Sequence, residues 1–312
     1  MLLLGREEVA AALPWGALIA AMRRVFTDGC EAPLRHRHAP GAAALLLMPA
    51  WDARCTGVKI VHVVAGNAAR GLPAVHAEYL LSDAATGAPI ALLDGGELTD
   101  RRTAATSVLA AGFLARPEAR RLLILGSGKV AAALAECYAS AFRLKDIAIW
   151  SRRPANAERL AQRLAGHGLP ARAQVTPDPR GFDIIAAATL ATEPLIRGAE
   201  LEPGTHLDLI GAFRRDMRET DGAALARARL VVDTRAGAMA EAGDIVQAIA
   251  EGHIAESHVA AELAELCRGA QPGRTAPEQI TAFKSVGWAG EDLAAAKLAC
   301  GIESGAGSAG RR

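Results

Sequence analysis

At 312 residues, 51% hydrophobic and 22% charged, the chain has the balance of a soluble globular protein and the length for two domains with cores of their own. A formal charge of +1 and an aromatic content of 4% exclude the electrostatic footprint of a nucleic-acid or anionic-membrane partner and leave little for base stacking. Cys30, Cys55, Cys137, Cys267 and Cys300, an odd number with no C-x-x-C spacing, read as reduced thiols, with neither a disulfide frame nor a metal site. The start reaches charge at Arg6 too soon for a signal peptide, and no apolar run approaches the length of about 18 residues that a membrane span needs, so a cytoplasmic protein is expected.

In chain order, residues 6–29 predict two helices broken at Pro14, with Leu18, Met22, Val25 and Phe26 along one face of the second. The basic segment 33–38 leads into a strand at 43–48, and strand-like runs follow at 57–64, 75–81 and 89–93. The last two are joined by the polar hairpin loop 82–88, with glycine near its end. A helix over 97–115 comes next. From Arg121 to about Asp233, helix patterns alternate with aliphatic strands at 122–125, 147–150, 183–187, 206–210 and 230–232, which predicts an open, doubly wound parallel sheet of Rossmann type. A last helix over 292–299 is expected to return to the first domain, and the Gly/Ser/Ala tail 301–312 to be disordered.

The first of the parallel strands ends in Gly126-Ser127-Gly128-Lys129-Val130-Ala131. This is a G-x-G-x-x-A turn: glycines let backbone amides approach a pyrophosphate, a small alanine lets the next helix pack, and that helix's N-terminus attracts the anion. An ATP-type P-loop would need glycine at position 123 and Ser or Thr at 130, where the chain has Leu123 and Val130, so that reading fails. The second strand ends in Ser151-Arg152-Arg153, where an NAD enzyme usually carries an acid for the ribose hydroxyls. Two guanidinium groups there suit a 2′-phosphate, so NADP(H) is expected as the preferred cofactor and NAD(H) as the second.

Several further stretches together resemble the ornithine cyclodeaminase/mu-crystallin family nearly end to end. They are Leu46-Leu47-Met48-Pro49-Ala50, Lys59, Gly66-Asn67 with Arg70-Gly71-Leu72-Pro73, Leu92-Leu93-Asp94-Gly95, Leu98-Thr99 with Arg102-Thr103-Ala104-Ala105, Ala242-Gly243-Asp244 and Phe283-Lys284-Ser285-Val286-Gly287. The resemblance implies an α/β chain with an α+β substrate-binding and dimerisation domain over 1–118, completed by the C-terminal helix region 286–312. A dinucleotide-binding domain would cover 119–285, and the assembly would be a homodimer. It implies a substrate site of Lys59, Arg102 and Arg35 (with Arg37 the second choice for the last). Its cofactor contacts extend from Gly126, Ser127, Gly128, Lys129, Val130, Ser151, Arg152 and Arg153 to Thr103, Thr189, Ile210, Gly211 and Ser285. Two guanidinium groups match the oxygens of a substrate carboxylate, and a lysine among apolar strand residues has its pKa lowered toward proton transfer by desolvation. His76 is a second candidate acid. Glu241 and Asp244 flank the same site by analogy, with helix capping the alternative for Asp244.

One departure from the family pattern redirects the function. Cyclodeaminases carry an aspartate two residues past the glycine that ends the fourth strand, and the count from Gly211 gives Phe213. A phenyl ring neither accepts a proton nor positions water, so ornithine cyclisation is not expected. The expected activity is NAD(P)H-dependent reduction of a cyclic imino acid, Δ1-pyrroline-2-carboxylate to L-proline. The alternatives are an alanine-type or opine-type dehydrogenase, and a mu-crystallin-like binding protein without turnover.

Overall fold

The computed structural model describes residues 1–302; the expected tail from 303 onward lies outside the described residues. The chain forms two compact units, residues 1–102 with the described residues from 289 on, and residues 103–288.

The first unit is built on a six-stranded mixed sheet. Its elements are β1 (Leu2–Leu4), α1 (Arg6–Ala12), α2 (Trp15–Asp28), β2 (His36–His38), β3 (Ala44–Trp51), β4 (Cys55–Val63), β5 (Val75–Asp83), β6 (Pro89–Asp94), the first part of α3 (Gly95–Leu114) and the C-terminal helix Ala289–Ala299. The strand order is β1-β6-β5-β4-β3-β2, antiparallel except that β1 runs parallel to β6. The sheet follows from alternation: Cys55, Gly57 and Lys59 are buried while Thr56 and His62 between and beyond them are exposed, so one face of β4 is covered and the other is not. The covered face packs on the C-terminal helix, and α2, with Leu18, Ala21, Met22 and Phe26 buried, packs in turn on that helix. The β5–β6 loop closes as expected: Asp83 accepts from the backbone of Ala85 and Thr86, and Gly87 takes φ 71°.

The second unit contains the rest of α3, then β7 (Arg121–Leu125), α4 (Lys129–Ala141), β8 (Asp146–Trp150), α5 (Pro154–Gly166), β9 (Ala171–Ala173), β10 (Ile184–Ala187), β11 (His206–Leu209), α6 (Gly222–Arg227), β12 (Arg229–Val232), α7 (Arg235–Glu241), α8 (Gly243–Ala250), β13 (Val259–Glu262), α9 (Leu263–Cys267) and β14 (Thr281–Lys284). All eight strands pair in parallel, in the order β13-β12-β14-β11-β10-β7-β8-β9. The Rossmann-type α/β expectation holds, with the chain reversing direction between β7 and β10. That reversal is the switch point beside which such sheets bind ligands. Residues on both faces, such as Leu122 and Leu123 or Ile184 and Ile185, are fully buried, as a covered parallel sheet requires.

Two expectations about organisation change. The units divide at 102/103 and 288/289, not at 118/119 and 285/286, because the end of α3 is tied to the second sheet: Leu114 O accepts from Thr281 Oγ1 and Arg274 Nε. The parallel sheet also continues beyond Asp233. Four-residue β14 slots between β11 and β12, and its threonine and lysine hide it from a search for apolar runs.

Candidate functional site

In the first unit the sheet brings together the residues singled out as the substrate site. Lys59 stands on the covered face of β4, in register with Met48 on β3 and Tyr79 on β5, and is 2% exposed. Gly57, two residues earlier on the same face, leaves room for the phenol of Tyr79: a Cβ there would lie 2.1 Å from the Tyr79 hydroxyl. Lys59 Nζ donates to Asp292 Oδ1 at 2.9 Å and lies 2.8 Å from Oδ2. Arg102, from α3, donates through Nε to the same Asp292 Oδ1 at 2.9 Å and through Nη1 to Glu291 Oε2 at 2.7 Å. Both carboxylates are fully buried on the first turn of the C-terminal helix.

The electrostatics follow from burial and charge. Desolvation pulls the Lys59 ammonium down to about 8, and Arg102 and Arg35 push the same way while Asp292 opposes them. Burial alone would raise the Asp292 carboxyl, but Arg102 and Lys59 outweigh it and hold the group below its ordinary range. Burial pushes the Tyr79 phenol well up, and Asp292 adds to it. Arg35, half-buried just before β2, is thus close enough to Lys59 to act on its charge, whereas Arg37 is exposed. His76 is on the uncovered face of β5, opposite in parity to Tyr79, and does not share a face with Lys59.

The sequence reading missed Glu291 and Asp292. Their signal was available: two adjacent acids open a helix whose remaining residues are nearly all apolar, and buried acids demand cationic partners.

In the second unit the positions named for the cofactor fall at one edge of the sheet. Trp150, Leu125, Ala187, Leu209 and Lys284 form one cross-strand row at the carboxyl ends of β8, β7, β10, β11 and β14. Ser151, Gly126, Thr189, Ile210, Gly211 and Ser285 follow directly beyond it. Gly126 must be glycine twice over: its φ is 128°, and a Cβ would meet Ala188 O at 2.6 Å. Gly128 has open space around it and precedes α4 without a side-chain cap, leaving the amides of Lys129 and Val130 for an anion. Ser127 Oγ donates to Ser151 Oγ at 3.0 Å, joining the glycine turn to the β8 loop that carries exposed Arg152 and Arg153. Thr103 is buried on α3. These features fit a dinucleotide.

A buried polar layer behind that edge fixes the loops. Glu219 Oε1 accepts from Thr189 N at 2.7 Å and Thr189 Oγ1 at 2.8 Å, and burial pushes its carboxyl up to about 7. Asp233 Oδ2 accepts from Ser285 Oγ, Val286 N and Gly287 N. Lys284 donates to Gly211 O and lies 3.2 Å from Asp244 Oδ2. Asp244 does not cap its own helix; its Oδ1 accepts from Glu219 N and Thr220 N. Phe213, 38% exposed, follows Ala212 at φ 49° and brings no ionisable group to this loop.

Known proteins share this architecture. The chain is 37% identical over 303 residues to the Delta(1)-pyrroline-2-carboxylate reductase of Paracoccus denitrificans, covering 96% of each. Among solved structures it is similar to Thermococcus litoralis Delta(1)-pyrroline-2-carboxylate reductase in complex with NADH and L-proline. The TM-score is 0.92, with 34% identity and 97% of each chain covered. It is also similar to an archaeal alanine dehydrogenase dimer with bound NAD, at TM-score 0.91 and 28% identity over 97% of this chain and 95% of the other. The profile of the Ornithine cyclodeaminase/mu-crystallin family matches residues 7–301. The chain belongs to the ornithine cyclodeaminase/mu-crystallin family.

Proposed function

We propose that the protein is an NAD(P)H-dependent reductase of a cyclic imino acid, with Δ1-pyrroline-2-carboxylate the substrate and L-proline the product. The observation that carries this reading is the buried Lys59–Asp292–Arg102 cluster in a chain whose other unit bears the G-x-G-x-x-A turn. Binding of a dinucleotide alone would not need two buried cations so far along the chain from that turn. A bound nicotinamide dinucleotide supplies the hydride. Arg35 and the Nη2 edge of Arg102, which takes no part in the Asp292 and Glu291 bonds, hold the substrate carboxylate. Lys59 gives a proton to the imine nitrogen, so the adjacent carbon is electrophilic when hydride reaches it. Fixing the substrate in a near-attack geometry supplies roughly 7–11 kcal/mol of the barrier.

Ser151, Arg152 and Arg153 at the end of β8 support NADP(H) as the preferred cofactor, since no carboxylate stands there to repel a 2′-phosphate. The uncovered face of the first sheet supports a homodimer. Leu3, Leu92, Leu80, Val58 and Pro49 form one cross-strand row on that face, with Leu3 69% and Leu92 36% exposed. An apolar sheet face of this kind is self-complementary about a two-fold axis. The free cysteines agree with a reducing, cytoplasmic compartment.

The second reading, an alanine-type dehydrogenase, draws on the likeness to the archaeal alanine dehydrogenase. It uses the same carboxylate clamp on an open-chain oxo acid. The deciding assay follows NADPH absorbance with pyrroline-2-carboxylate, piperideine-2-carboxylate, or pyruvate with ammonia. Fastest turnover of a cyclic imine is expected; turnover only of pyruvate with ammonia favours the second reading, and tight NADPH binding without any turnover favours a binding protein. Ornithine with NAD should release no ammonia, because Phe213 replaces the acid that cyclodeamination uses.

A further inference from the structure

A buried lysine beside a C=N or C=O carbon has two chemistries. As an ammonium it donates a proton; as a neutral amine it attacks the carbon and forms a Schiff base. Burial favours the second form, so what faces Lys59 decides between them. Arg102 from α3 and Arg35 from the segment before β2 both favour the neutral amine. Tyr79, across on β5, presents a buried hydroxyl without a hydrogen-bond partner among the described residues, and Met48 on β3 carries no charge. Of the groups facing it among the described residues, Asp292 alone favours the ammonium, with both of its oxygens within 3 Å of Nζ at 2.9 and 2.8 Å. Glu291 is a separate partner for Arg102, so Asp292 is not required to balance that guanidinium alone.

We propose that Asp292 is a positioning residue that keeps Lys59 an ammonium, so that Lys59 protonates the imine nitrogen and has no lone pair with which to attack the substrate carbon. The proposal rests on the reductase reading above. In the productive step the N–H bond of the ammonium breaks as the imine nitrogen gains the proton. The carbon then accepts the hydride, and the neutral lysine regains a proton from solvent. In the diverted step the neutral amine adds to the carbonyl carbon of an oxo acid and water leaves, giving a Schiff base on Lys59. Cyanoborohydride reduces that adduct to a stable secondary amine.

The test treats the protein with pyruvate and sodium cyanoborohydride and quantifies the carboxyethyl adduct on the Lys59 peptide by mass spectrometry. Wild type should label slowly at about pH 7 and faster as pH rises through about 8, where Lys59 loses its proton. Asp292→Asn, of the same shape without the charge, should label at least tenfold faster at about pH 7, and Asp292→Glu should return toward wild type. In turnover, the alkaline limb of kcat/KM should move down by roughly one pH unit or more in Asp292→Asn. A merely structural role for Asp292 would lower the rate without moving that limb. A folded Asp292→Asn that labels no faster than wild type overturns the proposal. Should that variant not fold, wild-type labelling that is already fast at about pH 7, or absent even at about pH 10, overturns it. Because trapping needs no turnover, a labelling contrast in a protein that reduces no imine would remove the reductase reading and leave the role of Asp292 standing.

Discussion

Lys59 and Asp292 lie 233 positions apart in sequence, yet the Lys59 ammonium sits 2.9 Å from Oδ1 and 2.8 Å from Oδ2 of the Asp292 carboxylate. The pair ties the central strand of the first sheet to the C-terminal helix. Removing the Asp292 carboxylate leaves Lys59 as an uncompensated buried charge, which typically costs about 3–5 kcal/mol, whereas removing Lys59 leaves Asp292 still paired with Arg102. The pair therefore anchors the fold as well as the side chain proposed as the proton donor.

Lys59→Met keeps the stem's volume and removes every donor. It leaves Asp292 with Arg102 as its remaining cation, so the fold should lose stability but persist. Loss of a positioned proton donor is typically worth about 10²–10⁴-fold in rate. Imine reduction should fall by at least two decades, mainly in kcat, while NADPH binding measured by fluorescence stays near normal. A folded Lys59→Met protein with wild-type kcat would eliminate Lys59 as the acid.

Arg152→Ala tests cofactor choice. A charge-assisted contact to a 2′-phosphate is worth about 1.5–3 kcal/mol. Titration should show NADPH binding weakened tenfold or more with NADH barely affected. Equal losses for both cofactors, or a wild type that prefers NADH, would count against a phosphate clamp at this loop.

Leu92→Glu tests the dimer face. Leu92 is already partly exposed, so the protomer should fold, but a charge in the middle of the Leu3–Leu92–Leu80 row should be intolerable once buried by a second copy. Sedimentation should show a dimer for wild type and a monomer for the variant. A variant that remains dimeric would place the interface elsewhere.

His206 should make the protein acid-sensitive. Its Nδ1 meets Thr281 Oγ1 at 3.0 Å, its Nε2 is buried without a partner among the described residues, and burial, aided by Arg274, pulls its pKa down to about 3. Between that value and its ordinary one of 6.5 the unfolded chain binds a proton that the folded chain refuses. The contribution to stability is thus present above pH 6.5 and lost as pH falls toward 3, by up to about 1.4 kcal/mol per pH unit. Asp208 and Glu219, pushed up to about 7 by burial, act in the opposite direction over much of that window, so wild type alone does not isolate the effect. His206→Asn retains a group for Thr281 but cannot charge. The stability gap between wild type and variant, measured by urea unfolding, should shift toward the variant as pH falls from about 6.5 to about 4. A constant gap would mean that His206 does not titrate there.

The sequence by itself determined the parts of this protein that depend on local pattern. The alternation of aliphatic strands with helices announced the parallel sheet, and Gly126 and Gly128 announced its anion-binding turn, because φ 128° and a carbonyl at 2.6 Å from a would-be Cβ tolerate only glycine at the first of them. Lys59 and Arg102 were legible through family resemblance and through the apolar neighbours of Lys59. What only the tertiary structure decided was pairing across distance. Glu291 and Asp292 look like ordinary helix-start acids until the C-terminal helix is laid on the first sheet and buries them against Arg102 and Lys59. Strand β14 is too short and too polar to be read as a central strand. It becomes one because the buried Lys284 finds Asp244 and the carbonyl of Gly211. Burial makes such groups costly unless they are paired, and sequence records the charges but not which of them meet.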